Sequence, residues 1–376
     1  MTSGNRGPRV GLVYHEDCLK HEEWPERPER LSAILEGLRQ AGLMGRLIPV
    51  TPGSLPEAEI ELVHCPDYVN SLRDFCARGG GLIAADTMVG PDSFRAAQLA
   101  AGGAVEAARL VLQSELDRVA VVVRPPGHHA VADQGMGFCL FNNVALAAAW
   151  ARRRGGAERV AIVDWDMHHG NGTQEAFFLD PSVLFISLHE VPAYPGTGWY
   201  TEVGAGKGEG YTINIPMPPG AGDDCCHLDF ESLIGPALEA FRPDLILVSA
   251  GQDGHVDDHM GNLRLTSGAF GWMAGFLVQV AVALGHGRVV VVLEGGYDLT
   301  SLADAWNRIT AALLGDAADA AGTEGAADAD GAAGADPGQA SSLEIVRETV
   351  KERLAARALL PLPPGTLGRR PDDNAV

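Results

Sequence analysis

The chain has 376 residues, 46% of them hydrophobic and 6% aromatic, enough to bury a substantial core in one α/β unit. A formal net charge of −21 argues against a surface that wraps nucleic acid or lies on an anionic membrane. No stretch approaches the ~20 uninterrupted apolar residues of a membrane span, Met1–Arg6 lacks the apolar core of a secretion signal, and six cysteines without CxxC spacing read as free thiols, so a cytoplasmic protein is expected.

In chain order, short β-rich apolar runs predict strands over Val10–Tyr14, Ile60–His64, Val119–Val123, Val160–Val163, Val183–Leu188, Thr212–Ile215, Leu245–Ser249 and Val289–Leu293. Several are apolar at consecutive positions, as in strands covered on both faces. Helical patterns lie between them, over Glu29–Gln40, Tyr68–Cys76, Ser93–Gln113, Ala145–Arg154, Phe230–Phe241, Ser267–Leu284 and Ser301–Leu314. This alternation predicts a parallel sheet flanked by helices, with its site at the carboxyl ends of the strands. Beyond residue 314 the Ala/Gly/Asp-rich stretch 315–340 reads as a flexible segment. The amphipathic stretch Leu343–Leu354 in the C-terminal part, 341–376, reads as a helix that docks back on the body.

Four strand exits carry the unusual residues: Arg124–His129, Asp164–Gly172, Ser249–Asp253 and Glu294–Tyr297. In the second, Asp164, Asp166 and His168 alternate and so project to one side. Two carboxylates and an imidazole at one spot are costly to bury without a compensating cation. Asp166, His168 and Asp253 make a three-ligand set, the number that leaves a catalytic zinc one open position, although so hard a donor set also suits Fe(II), Co(II) or Mn(II).

The adjacent imidazoles of His128 and His129 follow a stiff Pro-Pro-Gly turn and suit acid–base work near neutral pH. Asp164 and Asn171 are the candidate partners that set their tautomers. Tyr297, after the hinge-like pair Gly295-Gly296, is a candidate oxyanion donor. Gly137, Phe138 and Tyr194 lie on loops over the same edge, where the two aromatic faces would line a narrow tube for an alkyl chain.

The motifs Arg124-Pro125-Pro126-Gly127-His128-His129-Ala130, Gly137-Phe138-Cys139-x-Phe141-Asn142-Asn143, Asp164-x-Asp166-x-His168-His169-Gly170-Asn171-Gly172 and Glu294-Gly295-Gly296-Tyr297 together resemble the zinc-dependent histone deacetylase family, and Pro25–Leu31 looks like its N-terminal signature. The resemblance runs from about residue 10 to residue 314. It implies one arginase-like α/β domain over 1–314 with a mostly parallel eight-stranded sheet. It implies Asp166, His168 and Asp253 as ligands of one zinc, His129 as general base and acid, His128 as its electrostatic partner oriented by Asp164, and Tyr297 as the group polarising the amide carbonyl. Phe138 and Tyr194 match the pair that sandwiches the acyl-lysine chain.

It further implies potassium or sodium at two places. One would use Asp164, Asp166, His168, Ser187 and Leu188; the other Phe177, Asp180, Val183 and Tyr211. Asn171 matches the class II pattern, Tyr194 stands where Phe is usual, and Gln252 where Phe is common. The expected substrate is an acetylated lysine or an acetylated polyamine, and a homo-oligomer is among the expected assemblies. Two rivals are a binuclear manganese ureohydrolase of the same fold and an inactive module that binds acylated partners.

Overall fold

The computed structural model describes residues 7–316; the segments 315–340 and 341–376 lie outside the described residues, apart from Gly315 and Asp316. The strands are β1 (Val10–Val13), β2 (Ile48–Val50), β3 (Gly81–Ala84), β4 (Thr87–Val89), β5 (Arg118–Val121), β6 (Val160–Asp164), β7 (Val183–Glu190), β8 (Thr212–Met217), β9 (Leu245–Ala250) and β10 (Val289–Leu293). The helices are α1 (Glu29–Gln40), α2 (Glu57–Ile60), α3 (Pro66–Ala77), α4 (Ser93–Leu112), α5 (Asn143–Arg153), α6 (Asn171–Phe177), α7 (Asp223–Asp229), α8 (Gly235–Phe241), α9 (Ser267–Ala283) and α10 (Leu299–Leu313). None of the described helices is long and apolar enough to cross a membrane.

Eight strands form one sheet in the order β2-β1-β5-β10-β9-β6-β7-β8, and every pairing in it is parallel. β3 and β4 form a separate antiparallel hairpin. The central strands have no polar face because both faces are covered: α4 and α5 pack on one side, α9 and α10 on the other, with α1 against α10. β10 is four valines and a leucine, all buried.

One expected strand is absent. Ile60–His64 is the end of α2 and the turn after it; Pro56 starts that helix and Pro66 starts α3, so the run is too short to pair. The eighth strand of the sheet is Ile48–Val50 instead. It is an exposed edge with Pro49 in it, a residue tolerated only where the ladder ends.

The strand order puts the four unusual exits side by side. β5, β10, β9 and β6 are consecutive in the sheet, and the register pairs Asp164 with Ser249 and Leu293 with Ala250. Their carboxyl ends therefore open at one level, on one edge, in the middle of the molecule.

Candidate metal centre and active site

After β6 the backbone turns so that Asp166 and His168 face Asp253, which follows β9. The donor atoms of the three side chains lie within 4.8 Å of one another. His168 Nδ1 is 3.1 Å from Asp166 Oδ1 and 2.9 Å from Asp253 Oδ2. Asp166 and Asp253 are buried, and His168 keeps only 12% of its side chain exposed.

Backbone N–H groups hold the carboxylates in place. Met167 donates to Asp253 Oδ1 (3.0 Å), Gly295 to Asp166 Oδ2 (2.9 Å) and His168 to Asp166 Oδ1 (2.9 Å). Burial and the nearby Asp166 charge push the Asp253 carboxyl above the ordinary carboxylate range. Two buried carboxylates this close repel, and a divalent cation between them relieves both the repulsion and the burial cost. The donor set, its spacing and its fixed orientation fit such a metal.

Gly295 and Gly296 are not a flexible hinge. A Cβ on Gly295 would stand 2.5 Å from Asp253 Oδ2 and 2.6 Å from Asp166 Oδ2, so glycine is what lets this turn approach the donors. Gly296 has φ +113°, open to glycine alone without strain.

The two imidazoles differ in their partners. His128 Nδ1 lies 2.9 Å from Asp164 Oδ2, while His129 Nδ1 lies 2.8 Å from Asn171 Oδ1. Burial alone would lower the pKa of His128, but the charges of Asp164 and Asp166 and the bond to Asp164 outweigh it and raise it to about 10. His129 has no carboxylate partner; burial, then the charges of His128 and His168, push it well below its ordinary range. The carboxylate partner thus favours the charged form of His128 and the amide partner leaves His129 toward the neutral form, with ring centres 3.9 Å apart.

Tyr297 is buried beside them. The Arg30 guanidinium lies against its ring, and burial, opposed by that charge, raises its pKa. Arg30 Nε donates to the Gly296 carbonyl (2.6 Å) and Nη2 to the Glu294 carbonyl (2.5 Å). Arg30 and Arg124 both grip the buried Glu26, which neutralises part of their charge. Glu294 Oε2 accepts from the N–H groups of Gly127 (2.6 Å) and His128 (3.1 Å), tying the histidine turn to the tyrosine turn.

Above these groups lies a cavity of about 220 Å³. Gly137, Phe138, Tyr194 and Met260 form its walls, Tyr297 and the two histidines its floor, and Asp86 its rim. Gly137 packs on the His129 ring, where a Cβ would come to 2.3 Å. Tyr194 is 38% exposed, shares the cavity lining with Asp86, and sets its ring 5.0 Å from that of His129. Asp86 Oδ1 also accepts from Gly137 N (3.0 Å), and Thr87 Oγ1 accepts from Phe138 N (3.0 Å), so the β3–β4 hairpin positions the phenylalanine wall.

The residues expected at the first monovalent-cation site lie where β6 ends beside the middle of β7, with Asp164 in register with Ser187. The Ser187 hydroxyl lies 2.9 Å from His189 Nδ1. The second set surrounds the end of α6. Asp180 turns its carboxylate onto Ser182, and the carbonyls of Phe177, Asp180 and Tyr211 each accept a backbone N–H.

Sequence reasoning passed over Asp86, His64, Asp258 and the Glu26–Arg30–Arg124 network as functional groups. His64 Nε2 accepts from Asn142 N and its Nδ1 faces the Val131 carbonyl, both at 2.9 Å, bracing the loop that carries Phe138. The available signals were the family-like segment Pro25–Leu31, which holds Glu26 and Arg30, and the motif that opens with Arg124.

A family model for the histone deacetylase domain matches residues 24–313. The chain is 44% identical over 295 residues to a probable deacetylase of Archaeoglobus fulgidus, covering 77% of this chain and 82% of that protein. It is 39% identical over 291 residues to the histone deacetylase-like amidohydrolase of Pseudomonas aeruginosa, covering 77% and 76%. The crystal structure of the HDA15 HD domain superposes with a TM-score of 0.79 at 37% identity, covering 82% of this chain and 90% of that one.

Proposed function

The chain belongs to the histone deacetylase family, and on that premise we propose that it hydrolyses the N-acetyl amide of a lysine side chain or a similar alkylamine, releasing acetate and the free amine. The observation that carries the reading is the convergence of Asp166, His168 and Asp253 beside His128, His129 and Tyr297 at the floor of one cavity.

Asp166, His168 and Asp253 would hold zinc, which when bound supplies Lewis acidity toward the amide carbonyl and acidifies water. Phe138, Tyr194 and Met260 exclude water from the alkyl arm and steer the amide to the floor. His129, kept neutral by its burial and by its Asn171 partner, takes the proton of the attacking water at Nε2. His128, charged through Asp164, stabilises the negative charge that builds up. Tyr297 donates its hydroxyl to the oxygen of the tetrahedral adduct, a contribution of several kcal/mol in such sites. His129 then returns its proton to the departing amine. The outer end of the arm meets Asp86, an acceptor that suits both a peptide amide and a distal ammonium. Potassium or sodium on the two sets described above would stabilise the strand ends that carry the donors.

The test is acetate release from a panel of acetyl-lysine peptides and acetylpolyamines, with zinc-loaded protein and with Tyr297→Phe as control. Turnover lost on chelation and in Tyr297→Phe supports the reading. Silence across the panel, full activity of Tyr297→Phe, or two tightly bound manganese ions per chain overturns it.

A further inference from the structure

Asp258 is a buried carboxylate on the loop between β9 and α9 whose partners include a wall residue and a floor residue of the cavity. Its Oδ2 accepts from the backbone N–H of Tyr297 (2.5 Å) and of Asp298 (3.0 Å). Its Oδ1 accepts from the N–H of Met260 (3.0 Å). Met260 lines the tube and Tyr297 lies at its floor. The same loop carries Asp253, a proposed metal donor, and Asp298 caps α10 by accepting from Thr300 and Ser301.

We propose that Asp258 is a positioning residue that sets the Tyr297 phenol for its oxyanion contact by clamping the backbone of residues 297–298 to the metal-donor loop; the inference rests on the role of Tyr297 proposed above.

The physical case is one of leverage. Tyr297 follows two glycines, so the chain before it has few side-chain anchors of its own. Arg30 holds that turn from one side, through the carbonyls of Glu294 and Gly296. Those contacts leave the N–H groups of Tyr297 and Asp298 to be held from elsewhere, and Asp258 takes both with one oxygen. A charged acceptor makes each of these bonds stronger than a neutral one would. A displacement of about 1 Å at a reacting contact can cost on the order of 100-fold in rate.

The experiment compares Asp258→Ala and the milder Asp258→Asn in the wild-type and Tyr297→Phe backgrounds, with bound metal measured in each. The expected result is a kcat lowered about 100-fold by Asp258→Ala and about 10-fold by Asp258→Asn, with KM within about threefold and metal content unchanged. Neither substitution lowers kcat further once Tyr297 is phenylalanine. Should the alanine variant fail to fold, the asparagine variant carries the same comparison. A merely structural role would lower activity by the same factor in both backgrounds, and that outcome overturns the inference. So does a full kcat in both Asp258 variants while Tyr297→Phe is impaired, which leaves the deacetylase reading intact. A fully active Tyr297→Phe removes that reading and this inference together.

Discussion

The guanidinium of Arg30 lies 5.0 Å from the centre of the Tyr297 ring, while its nitrogens reach Glu26 and two carbonyls of the turn before that tyrosine. A planar fork with several donors makes these contacts at once; an ammonium cannot. Arg30→Lys is expected to lower kcat at least tenfold and to cost about 2 kcal/mol of stability through unpaired buried groups. Steady-state kinetics and urea denaturation check both, and wild-type kcat in the lysine variant would refute the argument.

The two histidines are separated in basicity by their partners, a carboxylate for His128 and an amide for His129. Asn171→Asp places a negative charge beside His129 Nδ1 and raises its pKa. His129 must be neutral to accept a proton, so the acidic limb of kcat/KM moves to higher pH. An unmoved limb in the pH profile would show that His129 is not the base.

Gly295 lies against the carboxylates of Asp166 and Asp253, the proposed metal donors. Gly295→Ala forces them apart and is expected to weaken metal affinity on the order of 10- to 100-fold, as loss of a supporting contact does in other sites. Competition with a chromogenic chelator measures this, and unchanged affinity would count against close approach as the reason for that glycine.

His64 is buried with Nε2 accepting a backbone N–H, and burial lowers its pKa to about 4. In the unfolded chain it titrates near its ordinary 6.5, so the unfolded state takes up the proton first as pH falls. Stability is then complete above about pH 6.5 and declines toward pH 4, by up to about 3 kcal/mol from this group. Denaturation of wild type and His64→Gln across that range isolates the term: the variant should show the shallower decline. Parallel curves would reject it.

The central strands were legible because both faces of each are covered, which leaves uninterrupted valine and isoleucine runs such as β10. The convergence of Asp166 and His168 with Asp253 was legible because carboxylates and an imidazole alternating at the end of such a run have no cheap structural explanation. The edge strand Ile48–Val50 was not, since a short exposed stretch around Pro49 looks like a loop. Ile60–His64 misled for the opposite reason: its apolar residues serve a single helical turn. The braces of the site were the least visible part. Arg30 meets Gly296 across 266 residues, and Asp258 and His64 act through backbone groups that carry no side-chain signature. A lone acid or histidine in a loop reads as a solvated residue until its distant partner is known.

The adjacency of β5, β10, β9 and β6 separates two jobs that evolution can then vary independently. Groups that perform the chemistry issue from neighbouring rungs of a rigid scaffold, whereas Phe138, Tyr194 and Asp86 belong to connecting segments at its margin. Those segments can be lengthened, shortened or grafted from a relative to admit a different acyl group or amine, and the hydrolytic apparatus beneath need not be rebuilt.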